Sequence, residues 1–380
     1  MSRLGPEQLE RYKRHLLLDG VGPDGQQKLF AARELLIGAG GLGSPAALYL
    51  AAAGLGRIGL VDFDRVDASN LQRQVLYTTA DVGASKALVA ARKLQALNPD
   101  VDVRVHEAKL GASNAAEILA EYDVVLDGTD TFPSRYLTSD LCVWQKKPLV
   151  YGSVMRFEGQ VSVFDARRGP CYRCLFPEPP PPELAPNCDE AGVLGVLPGV
   201  IGLLQATELL KLVLGTGEPL VGRLLVYDAL AMEFKKFRVA KDPACAVCGE
   251  HPTVTAPIDY AAFCAAQAGR TEAPPELSPQ ELRTKLDAGE ELLLLDVREP
   301  FEAELASIRG ARLIPLAQLP ARLAELEPWR ERAVVVHCHK GGRSRRACEL
   351  LRSKGFTRVA NLAGGIEAWA MQVDAEMKRY

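Results

Sequence analysis

Six residues near the amino end, Gly38-Ala39-Gly40-Gly41-Leu42-Gly43, constrain the fold more than any other stretch of the chain. They follow an apolar run, Leu35-Leu36-Ile37, and lead into small residues from Pro45 to Ala53. A strand that enters a helix through glycines leaves the first N–H groups of that helix uncovered, and such groups attract phosphate. A second apolar strand, Ile58–Val61, ends on Asp62, about 20 positions past the glycines, completing a β-loop-α-β unit. Further strands are expected at Val101–Val105, Val124–Leu126 and Leu149–Val150, separated by helical stretches such as Ser85–Leu97. This alternation predicts an α/β fold with a doubly wound, mostly parallel, Rossmann-like sheet. Residues 160–164 and 223–227 are expected as later, antiparallel strands, and residues 7–31 as an amphipathic helical lead-in.

At 380 residues the chain is long enough for two or three domains. We expect domain one over 1–250, a linker over 251–275 that ends in Glu272-Ala273-Pro274-Pro275, and a smaller α/β domain over 276–380. Ser278, Pro279 and Glu281 form a capping box at the start of this last domain, and Leu292–Val297 and Val334–His337 are its expected strands. Pro177-Glu178-Pro179-Pro180-Pro181-Pro182-Glu183 predicts an exposed extended loop. A formal net charge of -3 gives no electrostatic argument for nucleic acid or an anionic membrane, and neither is expected as a partner. The longest apolar stretch, Val200–Leu214, is broken by Gln205, Glu208 and Lys211, which predicts a buried helix rather than a membrane span. The amino end carries no secretory signal, so the nine cysteines suggest a reducing cytoplasm, with thiols for metal or catalysis.

Three groups of residues carry chemistry. Ser69-Asn70-Leu71-Gln72-Arg73-Gln74 and Lys86 would place donors and positive charge beside a polyphosphate, and Asp130 follows the expected Val124–Leu126 strand where carboxylates hold magnesium. Hydride transfer needs neither. Cys171-Tyr172-Arg173-Cys174 and Cys245-Ala246-Val247-Cys248 are two Cys-x-x-Cys pairs, together a closed tetrahedral set for structural zinc. Cys338-His339-Lys340-Gly341-Gly342-Arg343-Ser344 surrounds one cysteine with backbone N–H groups and an arginine, an environment that favours a thiolate. Cys188 follows the proline-rich loop on a stretch able to bring a thiol to an activated acyl group, while Asp189 and Glu190 oppose its ionisation. Cys142, Cys264 and Cys348 have no flanking chemistry and are expected as small apolar residues.

Residues 7–250 resemble the MoeB/ThiF family, the bacterial relatives of ubiquitin-activating enzymes, through Gly38–Gly43, Asp62, Ser69–Arg73, Lys86, Asp130–Thr131 and Arg14 in an Arg11–Leu18 helix. The resemblance implies that ATP and magnesium are bound and that the C-terminal glycine of a ubiquitin-like sulfur-carrier protein is adenylated. It further implies that Gly38, Gly40, Gly41 and Gly43 form the phosphate loop and that Asp62 holds the ribose. Ser69, Asn70, Leu71, Gln72, Arg73 and Lys86 would line the phosphates, with Asp130 and Thr131 at the metal. Arg14 would reach the ATP of a partner subunit in a homodimer. A cysteine at the place of Cys188 takes part in carrier chemistry in related enzymes, and many family members carry the cysteine tetrad.

Residues 276–380 resemble a rhodanese domain, through Asp296-Val297-Arg298-Glu299-Pro300, Ile308-Arg309-Gly310-Ala311, His337–Ser344 and Gly364-Gly365-Ile366-Glu367-Ala368-Trp369. The Cys-x4-Arg loop is one residue shorter than the cradle of cysteine phosphatases and suits a persulfide on Cys338, with Arg343 at its rim. The pair of domains implies adenylation followed by sulfur transfer, with thiosulfate or a cysteine desulfurase as donor, for molybdopterin or related sulfur-containing products. Two rivals remain at this stage: a conjugation activator forming a carrier thioester at Cys188, and an NAD-dependent oxidoreductase.

Overall fold

The computed structural model describes residues 4–180, 192–268 and 274–379. The chain divides into two compact units, with the boundary between Ala265 and Ala266. The first unit is built on an eight-stranded sheet: β1 (Arg33–Ile37), β2 (Arg57–Val61), β3 (Asp102–His106), β4 (Val124–Asp127), β5 (Leu149–Met155), β6 (Glu158–Phe164), β7 (Arg223–Asp228) and β8 (Glu233–Arg238). Its order is β3-β2-β1-β4-β5-β6-β7-β8. The strands from β3 to β5 pair in parallel, and β6, β7 and β8 continue antiparallel. β1 pairs with β2 on one side and β4 on the other, so the sheet reverses its direction of growth there and a crevice opens beyond the carboxyl ends of β1 and β4.

The central strands carry unbroken apolar runs because both faces are covered. Leu36, Leu60 and Leu126 lie in one core, Leu35, Ile37 and Val125 in the other. The helix Gly43–Ala52 presents Ala46, Ala47 and Ala51, small enough for close packing against the long helix Val196–Leu214. That long helix is apolar enough to cross a membrane by composition. Here it is a core helix, with Leu197, Ile201, Gln205 and Leu209 buried beneath it, and it ends on the left-handed Gly215.

Several boundaries differ from expectation. The lead-in over 7–31 is three helices, Pro6–Arg11, Lys13–Leu16 and Gly22–Ala31, and the expected Arg11–Leu18 helix is interrupted at Tyr12. Tyr12 turns into the core, stacks edge-on with Phe30 and bonds Asn98, so tertiary packing overrides helical continuity there. Residues 251–275, expected as linker, include the helix Tyr260–Ala268. Tyr260 is buried and donates to Asp140 at 2.9 Å, which ties this stretch to the first unit. The strand β8 was not expected at all, since Glu-Phe-Lys-Lys-Phe-Arg is exposed throughout and shows no alternation.

The second unit is a five-stranded parallel sheet of β9 (Glu276–Leu277), β10 (Leu292–Asp296), β11 (Arg312–Leu313), β12 (Ala333–His337) and β13 (Val359–Leu362), in the order β11-β10-β12-β13-β9. Ser278 caps the helix Pro279–Asp287, with Glu281 returning to the Ser278 N–H at 2.8 Å. β12, buried between Leu295 of β10 and Val359 of β13, delivers Cys338 at its carboxyl end.

Candidate functional site

Gly43 opens the helix Gly43–Ala52, and a Cβ there would sit 2.0 Å from the Gly38 carbonyl oxygen, so only glycine lets the loop fold back on the helix. Tyr77 Oη and Ser44 Oγ both donate to the Ala39 carbonyl, at 2.8 and 3.0 Å, and turn that peptide's oxygen inward. The N–H groups of Gly40, Gly41 and Leu42 have no partner among the described residues. They stand at a helix N-terminus at the switch point of the sheet, which is where an anion is drawn.

Asp62 directly follows β2 and accepts from the N–H of Ala39 at 2.9 Å and of Asp64 at 2.8 Å, so it braces the glycine loop from the side. Burial pushes its carboxyl up, against those two N–H bonds and Lys86. Lys86 begins a helix capped by Ser85; its side chain is 6% exposed and its Nζ lies 3.1 Å from Asp64 Oδ2. Ser69, Asn70 and Leu71 follow Asp67, which caps a turn by accepting from the Ser69 N–H and Oγ. Arg73 returns to the Ser69 carbonyl at 3.1 Å, and Gly195 packs directly on Gln72, so the start of the long helix closes over this turn. Asp130 and Thr131 are exposed beyond β4, and Arg14 is exposed on Lys13–Leu16, with no hydrogen bond or ion pair of its own among the described residues. The crevice therefore gathers the glycine loop, Asp62, Lys86 and the 69–73 turn.

The sulfur atoms of Cys171, Cys174, Cys245 and Cys248 lie within 4.8 Å of one another. Contacts of 3.8 Å (171–174), 3.5 Å (171–245) and 3.4 Å (174–248) approach the ~3.8 Å edge of a tetrahedron of thiolates around zinc. The Asp242 N–H points at Cys174 Sγ at 3.5 Å, as N–H groups around metal thiolates do. The donor set is all sulfur and closed, which fits a structural zinc. Cys142 and Cys348 are buried and burial pushes both thiols up, in keeping with a packing role. Cys188 lies outside the described residues.

In the second unit Cys338 is 2% exposed, and its Sγ accepts from the Gly341 N–H at 3.2 Å and Ser344 Oγ at 3.3 Å. Gly341, at φ +98, makes the turn that aims this N–H inward and starts the helix Gly342–Ser353. The carbonyls of Cys338 and His339 face outward and accept from Ile366 and Glu367 at the start of a second helix, at 2.8 and 3.0 Å. Arg343, expected at the rim of this loop, has a carboxylate partner. Its guanidinium makes a bidentate pair with Glu302, at 2.5 and 2.6 Å.

A model of the ThiF family matches residues 12–247, and a model of rhodanese-like domains matches residues 278–372. The chain belongs to the ThiF family. This ThiF-family chain is 46% identical to a probable adenylyltransferase/sulfurtransferase MoeZ of Mycobacterium tuberculosis, over 100% of the chain and 97% of that protein. It is 42% identical to the adenylyltransferase and sulfurtransferase MOCS3-1 of Zea mays, over 99% of the chain and 84% of that protein. A sulfur carrier protein adenylyltransferase of Thermus thermophilus is 55% identical over 68% of this chain and 97% of its own length. The crystal structure of Escherichia coli MccB with ATP shares the fold, with a TM-score of 0.55 at 23% identity over 63% of this chain and 73% of that one.

Four residues at these sites were not singled out from the sequence. Asp127, at the end of β4, accepts from Thr129 through one oxygen and has the other buried without a partner; burial pushes its carboxyl up. Arg135 is buried beside it, donating to the Thr129 carbonyl at 2.9 Å and Ser153 Oγ at 3.1 Å. Glu302 holds Arg343, and Ser344 bonds the sulfur. Asp127 lies three residues before Asp130 in the chain, so its place at a strand end could have been found. Nothing local marks Glu302, which reaches Arg343 across 41 residues of chain.

Proposed function

We propose that this protein adenylates the C-terminal glycine of a ubiquitin-like sulfur-carrier protein and then replaces AMP with sulfur to form the carrier thiocarboxylate. The observation that carries this reading is the coexistence of two complementary sites. One offers unfilled N–H donors for phosphate, and the other offers a thiol already held by N–H and O–H donors at a helix start. In the first site, Gly40 and Gly41 would take the phosphates of ATP, Asp62 the ribose, and Asn70, Arg73 and Lys86 the developing charge. Asp130 and Thr131 would hold magnesium, which when bound would neutralise phosphate charge.

The carrier carboxylate attacks the α-phosphate and pyrophosphate leaves, giving an acyl adenylate. Cys338, loaded as a persulfide by thiosulfate or a cysteine desulfurase, attacks the acyl carbon through its outer sulfur, and AMP departs. A thiolate, from Cys188 or outside, then attacks the Cys338 sulfur of the acyl disulfide and forms a disulfide with it, and the thiocarboxylate leaves with the electron pair. Zinc at Cys171, Cys174, Cys245 and Cys248 is structural in this scheme, and the reaction belongs to the reducing cytoplasm.

We further propose a homodimer. Leu17, Leu18 and Tyr49 are exposed near Arg14 in the chain or across the groove of about 260 Å³ formed by His15, Tyr49, Leu203 and Leu210, and a second copy would cover this apolar face. Incubation with Gly-Gly carriers, ATP and, in parallel, thiosulfate or a cysteine desulfurase with cysteine tests the whole scheme. AMP release and a sulfur-for-oxygen mass gain on a carrier are expected, and neither on any carrier would reject it.

A further inference from the structure

Arg343, Arg345 and His339, near Cys338 in the chain, already face carboxylates. Arg343, whose side chain is 19% exposed, has both terminal nitrogens on Glu302. Burial pushes the Glu302 carboxyl up, but the Arg343 bonds overcome it and hold it below the usual range. The pairing is also built in from behind. Arg298, fully buried, pairs with Asp296 at the end of β10 and donates to the carbonyls of Glu302 and Ala306, which pins the helix Pro300–Leu305 beside the loop. The Glu302 carboxylate itself accepts from the Glu299 N–H at 2.9 Å. His339 faces Glu367 at 3.7 Å, and Arg345 pairs with Glu276. Lys340 has no ion-pair partner among the described residues.

A thiosulfate dianion needs a guanidinium or several free cations to enter such a loop. A persulfide monoanion needs only one exposed charge. We propose that Glu302 is a positioning residue that sets donor specificity: by engaging Arg343 it disfavours small dianionic donors such as thiosulfate and leaves the loop to persulfides of low charge. This rests on the proposed role of Cys338 as sulfur acceptor. With thiosulfate, the Cys338 thiolate attacks the outer sulfur, the S–S bond breaks, and sulfite leaves with the electron pair. With a persulfide, the departing group is a thiolate.

Full-length protein is assayed for sulfur transfer to cyanide with thiosulfate and with cysteine persulfide as donors. Wild-type protein should show the lower KM for cysteine persulfide; the reverse order overturns the proposal without any variant. In Glu302→Gln the thiosulfate KM should fall about tenfold, in KM rather than kcat, with little change for cysteine persulfide. Adding Arg343→Met should cancel that gain. An unchanged or raised thiosulfate KM in folded Glu302→Gln, or an equal shift for both donors, overturns it. Failure of wild-type protein to load sulfur from any donor would instead reject the sulfurtransferase function.

Discussion

At the glycine loop the N–H groups of Gly40, Gly41 and Leu42 stand without partners, while at the cysteine loop the Gly341 N–H is already on Cys338 Sγ. Both loops follow the carboxyl end of a buried parallel strand and open a helix, so their backbone polarity is the same. The first loop has no nucleophile and therefore waits for an incoming anion. The second contains its own reactive atom and uses its donors to hold it. The same helix-start device thus serves binding in one unit and nucleophile placement in the other, and the side chains around it decide which.

The sharpest way to break this contrast is to remove the sulfur. Cys338→Ala should abolish thiocarboxylate formation, a loss of more than about 10³-fold, while ATP–pyrophosphate exchange with a carrier continues at the native rate. Loss of exchange in the folded variant would mean that the first loop depends on the second and is no self-sufficient binding site. The next effect in size is metal removal. The tetrad ties residues 171–174 to residues 245–248 in the first unit only. Stripping zinc with a chelator, or Cys245→Ala, should cost that unit on the order of 5 kcal/mol. Thermal melting should show one transition lowered while cyanide-linked sulfur transfer at Cys338 persists. Equal loss in both units would remove the distinction between them.

Much of this contrast is legible in the amino-acid sequence. The glycine loop, the tetrad and the Cys-x4-Arg loop are local patterns, and local backbone geometry fixes what they do: Gly43 because its Cβ would strike Gly38, Gly341 because of its φ. Strand positions in the parallel part followed from apolar runs such as Val124–Leu126, which both-face burial demands. What escaped depends on contacts between distant parts of the chain. β8 forms because β7 offers an edge and Phe234 stacks on Tyr227 at 4.5 Å, not because of its own pattern. Arg343 appeared from its spacing to belong to the sulfur, but Glu302 arrives from another helix and takes it.

If the glycine loop waits for an incoming ligand, it can also borrow a cation from outside the chain, which the cysteine loop does not need. Arg14→Ala should slow pyrophosphate exchange by about 10²-fold, and Asp130→Ala should do likewise. Mixed and re-equilibrated, the two inactive proteins should recover about a quarter of native exchange, because a hybrid dimer holds one site with both groups intact. No recovery, with hybrids demonstrated by tagged copies, would place Arg14 and Asp130 in the same chain's site or outside it. Sulfur transfer from thiosulfate to cyanide should be unaffected by mixing.

The last contrast, the most gradual of these effects, separates the units by pH. Glu34, on β1, is fully buried with both oxygens unpartnered, and burial pushes its carboxyl up to about 8. Unfolding releases its proton at any pH above the ordinary carboxylate value, about 4.5. Its contribution to stability is therefore complete below that value and is lost as pH rises towards 8. His337, on β12, is buried without a hydrogen-bond partner, and burial lowers it to about 4 despite Asp296. The unfolded chain takes up a proton below about 6.5 that the folded chain refuses, so this unit loses stability as pH falls from there towards 4. Each slope is at most about 1.4 kcal/mol per pH unit. Melting at pH 5, 7 and 9 should lower the second unit's transition at the acid end and the first unit's at the alkaline end. Glu34→Gln should flatten only the alkaline limb and His337→Gln only the acid one, since each removes a proton exchange confined to its own core.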